Sequence, residues 1–201
     1  MPRSSTREDK RRRIANALMT VMAQKGYAGA SIAEIATVAD LNHGLVHYYF
    51  GSKLEVLLLV IDIMAEQQQE RLQSVEENHD DPWSCLLALL DVHVGVGASA
   101  DPVALACWSE IGAEAIRQEV VREKVGLMLA HTVQVLEGQI VRGSEMGMFT
   151  SKLAPAEAAA ALTAAIWGYF QLAATARELI PRGSAVRATS AMARGLLHPH
   201  I

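Results

Sequence analysis

The sequence predicts an all-α protein of about nine helices, and three observations carry that prediction. The 201 residues are 51% hydrophobic and 20% charged, the balance of a folded globular chain. No run of alternating β-branched residues of useful length occurs, so a strand has no period to form on. Apolar positions instead recur at three- and four-residue spacing between capping residues, Asp-Pro pairs and glycines. The organisation expected is an N-terminal three-helix domain over residues 1–53 and a larger helical domain over residues 54–201.

Residues 1–7 read as a disordered arm. The first helix runs roughly from Glu8 to Lys25, with Ile14, Ala17, Leu18, Val21 and Met22 on its core face and Gly26 ending it. The basic run Lys10-Arg11-Arg12-Arg13 lies in its first turns. Ser31 and Glu34 form an S-x-x-E capping box, so a second helix starts at Ile32 with Ile35, Ala36 and Ala39 on its apolar side. Asp40, Leu41 and Asn42 interrupt the pattern. Asn42 is a favourable N-cap for a third helix, roughly His43 to Phe50, held down by Leu45, Val46 and Phe50.

Ser52 and Glu55 form another capping box and open a long helix, Lys53 to Glu77. Its first half is apolar and its second half, from Glu66, mostly polar. That shift suits a helix connecting two domains. Asn78 to Asp81 is a loop. The pairs Asp81-Pro82 and Asp101-Pro102 each place an N-cap before a proline, predicting helices over about Pro82–Gly95 and Pro102–Gly112, or slightly further. Gly95-Val96-Gly97 is a break; it lacks the strand and third glycine of a dinucleotide fingerprint. An amphipathic helix follows, about Arg117 to Arg142, with Val121, Val125, Met128, Thr132, Val133, Leu136 and Ile140 inward. The eighth helix, about Pro155 to Glu178, is small or apolar nearly all round. The ninth runs about Ser184 to Leu197.

Two short helices, a tight turn and polar tips at His43, His47, Tyr48 and Tyr49 form the geometry with which a helix-turn-helix enters a major groove. The segment resembles the N-terminal domain of TetR/AcrR-type transcriptional regulators. The matching residues are Gly26, Ser31, Ile32, Ile35, Ala36, Ala39, Asn42, Gly44, Tyr49, Phe50, Ser52 and Lys53. Two positions depart: Asp40 stands where that family has glycine, and His47 where it has tyrosine. Asp tolerates a left-handed backbone better than most residues, so the turn is expected to survive. The resemblance implies a homodimeric DNA-binding repressor. His43, His47 and Tyr48 are expected nearest the bases, with Asn42 and Gly44 at the head of the same helix. Ser31, Tyr49, Lys53, Arg11 and Arg12 are expected to meet phosphates.

Charge supports this. Residues 1–55 hold 8 Lys+Arg against 5 Asp+Glu, a net of +3, which leaves −7 on residues 56–201 for a chain of −4. The positive charge lies beside the helix-turn-helix, where phosphate binding needs it. The N-terminus lacks the apolar core of a signal peptide, and no apolar run is expected to reach the ~18 residues of a membrane span. Cys85 and Cys107, in apolar surroundings, read as buried thiols. A cytoplasmic protein is expected. H-E-x-x-H, C-x-x-C and G-x-S-x-G are absent, and no catalytic residue, metal or cofactor is expected.

The C-terminal half is similar, more loosely, to the ligand-sensing domains of the betaine-pathway repressors within that family. The similarity lies in Trp108 to Glu119 and in Trp167-Gly168. Candidate pocket residues are His93, Trp108, Glu110, Met128, His131, Trp167 and Gln171, where tryptophan and glutamate together would suit a cation. A helix apolar on all sides needs cover on all sides. Ala158, Ala161, Leu162 and Ala165 of the eighth helix, with Leu196 of the ninth, are therefore expected at a two-fold dimer interface. The partners expected are a double-stranded operator, a small-molecule inducer and a second copy of the chain. The competing function is a helical small-molecule-binding protein without specific DNA binding.

Overall fold

The computed structural model describes residues 6–94 and 101–200. Among these, all regular structure is helical: α1 (Arg7–Gly29), α2 (Ile32–Val38), α3 (His43–Tyr49), α4 (Lys53–Glu77), α5 (Pro82–Val94), α6 (Pro102–Arg117), α7 (Glu119–Glu145), α8 (Pro155–Thr175) and α9 (Ser184–Leu197), with one 3-10 turn at Arg177–Leu179. The all-α expectation holds. Residues 1–5 of the expected arm and the Gly95-Val96-Gly97 break lie outside the described residues.

The caps explain most boundaries. Thr6 and Asp9 form a capping box on α1, and Ser31 and Glu34 form the one foreseen on α2. Asn42 accepts the Leu45 N–H through Oδ1 at 2.8 Å and starts α3. At α4, Ser52 Oγ accepts from the Glu55 N–H at 3.2 Å, but the Glu55 carboxylate reaches one residue further back, to the Gly51 N–H at 3.0 Å. Both aspartates of the Asp-Pro pairs cap: Asp81 accepts from Ser84 N–H at 2.7 Å and Asp101 from Val103 N–H at 2.9 Å. Gly26 does interrupt α1. Its φ of 73° and ψ of 164° are open to glycine alone, so the Lys25 end of the helix turns there.

Other boundaries differ. α6 continues to Arg117, five residues past Gly112, because its buried face persists through Ile111 and Glu114. Glu114 accepts from Arg117 at 3.0 Å and from the Gln118 side chain at 2.6 Å, closing the helix end. α8 stops at Thr175 instead of Glu178, where the backbone tightens into the 3-10 turn. By length and composition α8 does reach the threshold of a membrane span, contrary to the sequence expectation. Glu157 is its only charge, and Thr163 and Gln171 do not lower the average enough.

The chain packs as two compact units, one of Met1–Glu66 with Asp101–Val125, the other of Gln67–Ala100 with Gly126–Ile201. This division differs from a boundary at residue 53, because α6 packs on α1 and joins the N-terminal unit. Helices α4 and α7 each continue from one unit into the other. The N-terminal core is Ile14, Leu18, Met22, Ile35, Leu57, Ile61 and Ile111; the second unit is built on Leu72, Leu86, Leu89, Leu90 and Leu136. Both cysteines are buried free thiols. Burial pushes Cys107 up to about 12, and its Sγ donates to the Met19 carbonyl at 3.4 Å.

Candidate nucleic-acid interface and ligand site

Helix α3 is held from beneath by Val46 and Phe50, both almost fully buried. Burying such side chains stabilises by roughly 1.5–3 kcal/mol each, which a seven-residue helix needs because its own hydrogen bonds do not sustain it. The outer face is left to solvent. His43, Gly44 and His47 are exposed and Tyr48 is 72% exposed. The His43 and His47 rings lie 4.6 Å apart, edge to face, and Tyr48 meets the half-buried Tyr49 at 5.1 Å. A Cβ on Gly44 would meet only Asn42 Oδ1, at 3.5 Å, so the head of the helix stays open to close approach.

The α2–α3 turn passes through Asp40 at φ 49°, the left-handed conformation expected for it. Arg13 secures the turn by donating to Asp40 Oδ2 at 2.7 Å and to its carbonyl at 3.3 Å. The basic run therefore serves the domain itself. Arg11 donates to the Tyr49 carbonyl at 3.5 Å and lies 4.6 Å over the Phe50 ring, steadying the end of α3. Arg12 pairs with Glu66 at 2.7 Å. Arg12 and Arg13 are about half exposed, and exposed pairs of this kind contribute at most about 1 kcal/mol.

Lys53 and Ser31 occupy more committed positions. The Lys53 ammonium donates to the Tyr27 carbonyl at 2.7 Å and the Ala30 carbonyl at 2.8 Å, and sits 4.4 Å over the Tyr27 ring. On the other side of the same residue, Glu110 accepts the Tyr27 N–H at 2.7 Å. The α1–α2 turn is thus gripped at both its donor and its acceptor. Burial, with the charge of Glu114 second, pushes the Tyr27 hydroxyl up to about 12. Ser31 Oγ accepts from Glu34 N–H at 3.2 Å and donates to the Glu34 carboxylate at 2.9 Å. That carboxylate is lowered to about 2, first by Lys25 and then by Ser31.

The seven pocket candidates are divided between the two units. Trp108 and Glu110 belong to α6 in the N-terminal unit, where Trp108 is buried and Glu110 is engaged by the turn. One oxygen of the Glu110 carboxylate is thus taken up by the turn amide. His93, Met128, His131, Trp167 and Gln171 lie in the other unit. There His93 is buried on α5, with Gln68 Nε2 3.4 Å from its Nδ1; the same Gln68 nitrogen is 3.1 Å from Thr132 Oγ1. Burial, then the charge of His131, lowers the His93 imidazole to about 4. By composition Gln68 falls in the polar half of α4. Its register was visible: Ile61, Met64, Gln68 and Leu72 share one face of α4, three of them buried.

The interface candidates divide as well. Ala158 and Leu162 are buried within their own unit, on the face shared with Ala159 and Ile166, so they are not available to a second copy. Ala161 is exposed, and Ala165 and Leu196 half-buried. Leu172 and Met192, not singled out in the sequence, are 41% and 46% exposed on α8 and α9. Between α5 and α9 lies a groove of about 640 Å³ whose lining includes Leu87, Val186 and Ala191 together with Arg187, Arg194 and His198.

Comparison with known proteins places the N-terminal unit. Residues 14–60 match the profile of the bacterial regulatory proteins, tetR family. An HTH-type transcriptional regulator BetI of Paraburkholderia phytofirmans is 30% identical over 114 residues, covering 55% of this chain and 58% of that protein. The PksA regulator of Bacillus subtilis is 31% identical over 75 residues, 37% of each. The chain thus spans a little over half the length of the BetI relative. A TetR transcription regulator from Haloarcula marismortui has the same fold, with a TM-score of 0.84 at 24% identity over 94% of this chain and 99% of that one. A Saccharomonospora viridis regulator solved in complex with choline has a TM-score of 0.81 at 20% identity, over 94% and 98%.

Proposed function

We propose that this chain, which carries a TetR-family helix-turn-helix, is a homodimeric transcriptional repressor released from a palindromic operator by a small-molecule inducer. The observation that carries the reading is the outer face of α3. His43, His47 and Tyr48 stand exposed on a helix whose other face is fixed by Val46 and Phe50, inside a segment that matches the tetR-family profile. Placed in a major groove, these three tips meet base edges, while Tyr49 and Ser31 lie toward the phosphates and Arg11 and Arg12 exchange their internal partners for them.

Two recognition helices about one DNA turn apart read a near-palindrome, which calls for a two-fold dimer. Helix α8 supports one: only 33% of its apolar stretch is buried within the chain. Ala161, Ala165 and Leu172 with Met192 and Leu196 of α9 form the surface offered to a second copy. An inducer in the second unit acts by binding more tightly to the arrangement that spaces the recognition helices wrongly. Helix α4, continuous between the units, carries the change. A cytoplasmic location fits this role.

Fluorescence anisotropy on DNA from upstream of the chain's own gene tests the proposal, at low and high salt against scrambled competitor. Tight binding that weakens with salt and survives competitor is expected. Equal, weak binding to both DNAs would promote the carrier alternative, a helical ligand-binding protein without an operator.

A further inference from the structure

The second unit buries a polar cluster of His93 and Thr132 with the half-buried Gln68, and its hydrogen bonds determine which atom is left over. Thr132 Oγ1 lies 3.4 Å from the Met128 carbonyl, one turn back in α7, and can only donate to it. Its oxygen therefore accepts from Gln68 Nε2 at 3.1 Å, which orients the Gln68 amide with its NH₂ inward. The second hydrogen of that NH₂ points at His93 Nδ1, 3.4 Å away, so Nδ1 is the acceptor and the ring proton sits on Nε2. His93 Nε2–H is buried and has no partner. It is a donor without an acceptor, a condition that costs roughly 1–3 kcal/mol and that native interiors rarely keep without use.

We propose that His93 Nε2–H is the recognition donor of a small-molecule site, and that its ligand presents a hydrogen-bond-accepting oxygen, a carboxylate or carbonyl, and not a quaternary cation. The inference rests on the ligand-responsive reading above and names the chemistry of its site. Gln68 and Thr132 are the positioning residues that hold the tautomer. The cluster lies beside partly exposed positions, since Gln68 itself and, on α7, Met128 and His131 are half-buried. Among the described residues, the titratable group that bears on His93 is another imidazole, His131, and no carboxylate is among the groups that shift it. Burial keeps His93 neutral, so it donates at physiological pH without carrying charge itself.

Long-range ¹H–¹⁵N NMR of the histidine side chains in the full chain reads this directly. The free protein is expected to show His93 as the neutral Nε2–H tautomer through pH 5. Sodium benzoate and benzamide, as acid and carbonyl probes, are expected to shift its Nε2 resonance saturably, while choline chloride leaves it unmoved. His93→Phe should weaken benzoate at least tenfold, and Gln68→Leu, which frees Nδ1, severalfold; His79→Phe should change nothing. An Nδ1–H tautomer, saturation by choline, or a resonance that neither benzoate nor benzamide moves, leaving water as the partner, would overturn the proposal. Operator anisotropy on the same samples separates the two readings. DNA binding with no probe at His93 removes the site and keeps the regulator; benzoate at His93 with no DNA binding does the reverse.

Discussion

Helices α3 and α8 make opposite use of their sequences. The seven residues of α3 are started by one cap, Asn42, pinned by Val46 and finished by Phe50, and the polar tips are left outside. The 21 residues of α8 have a cap with no side-chain bond to its N3 amide, and its small apolar residues point in every direction. One helix is complete within its own unit and presents chemistry. The other is incomplete alone and presents area. The difference teaches that exposure has two meanings here: on α3 it is polar and directional, on α8 apolar and a demand for cover.

The largest test breaks α8. Ala161→Glu places a charge on its exposed side, which should weaken the proposed dimer by roughly a hundred- to several-thousandfold, since an uncompensated buried charge costs about 3–5 kcal/mol. Light scattering should show monomers while circular dichroism stays unchanged; an unchanged mass removes this face from the interface. The same substitution at the buried Ala158 should unfold the unit instead.

Next is the buried histidine, where acid should strike the second unit. His93 is lowered from 6.5 to about 4 in the fold. As pH falls below 6.5 the unfolded chain takes up a proton that the folded chain refuses until about 4. Stability is thus full above 6.5 and is lost across that window, by on the order of 3 kcal/mol. Urea midpoints at pH 7 and pH 5 should separate for the wild type and converge for His93→Phe; equal losses in both would assign the effect to other groups.

Lys53→Met sharpens the account of the helix-turn-helix. Losing its bonds to Tyr27 and Ala30 should cost about 2 kcal/mol of stability. If Lys53 acts only through the turn, DNA affinity falls and the salt slope stays; a slope smaller by about one would show that it also meets a phosphate. The smallest effect is expected at Asp40→Gly. Glycine relieves the left-handed backbone but gives up the exposed Arg13 pair, so the net change should stay within about 1 kcal/mol. A loss above that in thermal unfolding would make the pair a larger contributor than its exposure suggests.

Much of the N-terminal site was legible because its signals are local. Ser31 with Glu34, Asn42 with Leu45, and glycine at position 26 act within a few residues, and periodicity showed which face of each helix is apolar. Arg11, Arg13, Lys53 and Glu110 were not legible in the same way. Each is tied to a residue 23 to 83 positions away, and a basic run reads the same whether it meets a phosphate or a carbonyl. In α8 the sequence showed that cover was needed on every side but not which side the chain itself supplies, so Ala158 and Leu162 were placed outward when they face inward.

The sequence by itself determined the all-helical class, the caps that start α2, α3, α5 and α6, and the left-handed turn at Asp40, since these depend on backbone chemistry between near neighbours. Only the tertiary structure decided that α6 joins the N-terminal unit, that Glu110 holds the turn, and that His93 keeps an unpaired donor. Those outcomes depend on which distant groups are buried together, where an unmet hydrogen bond costs more than any local preference contributes.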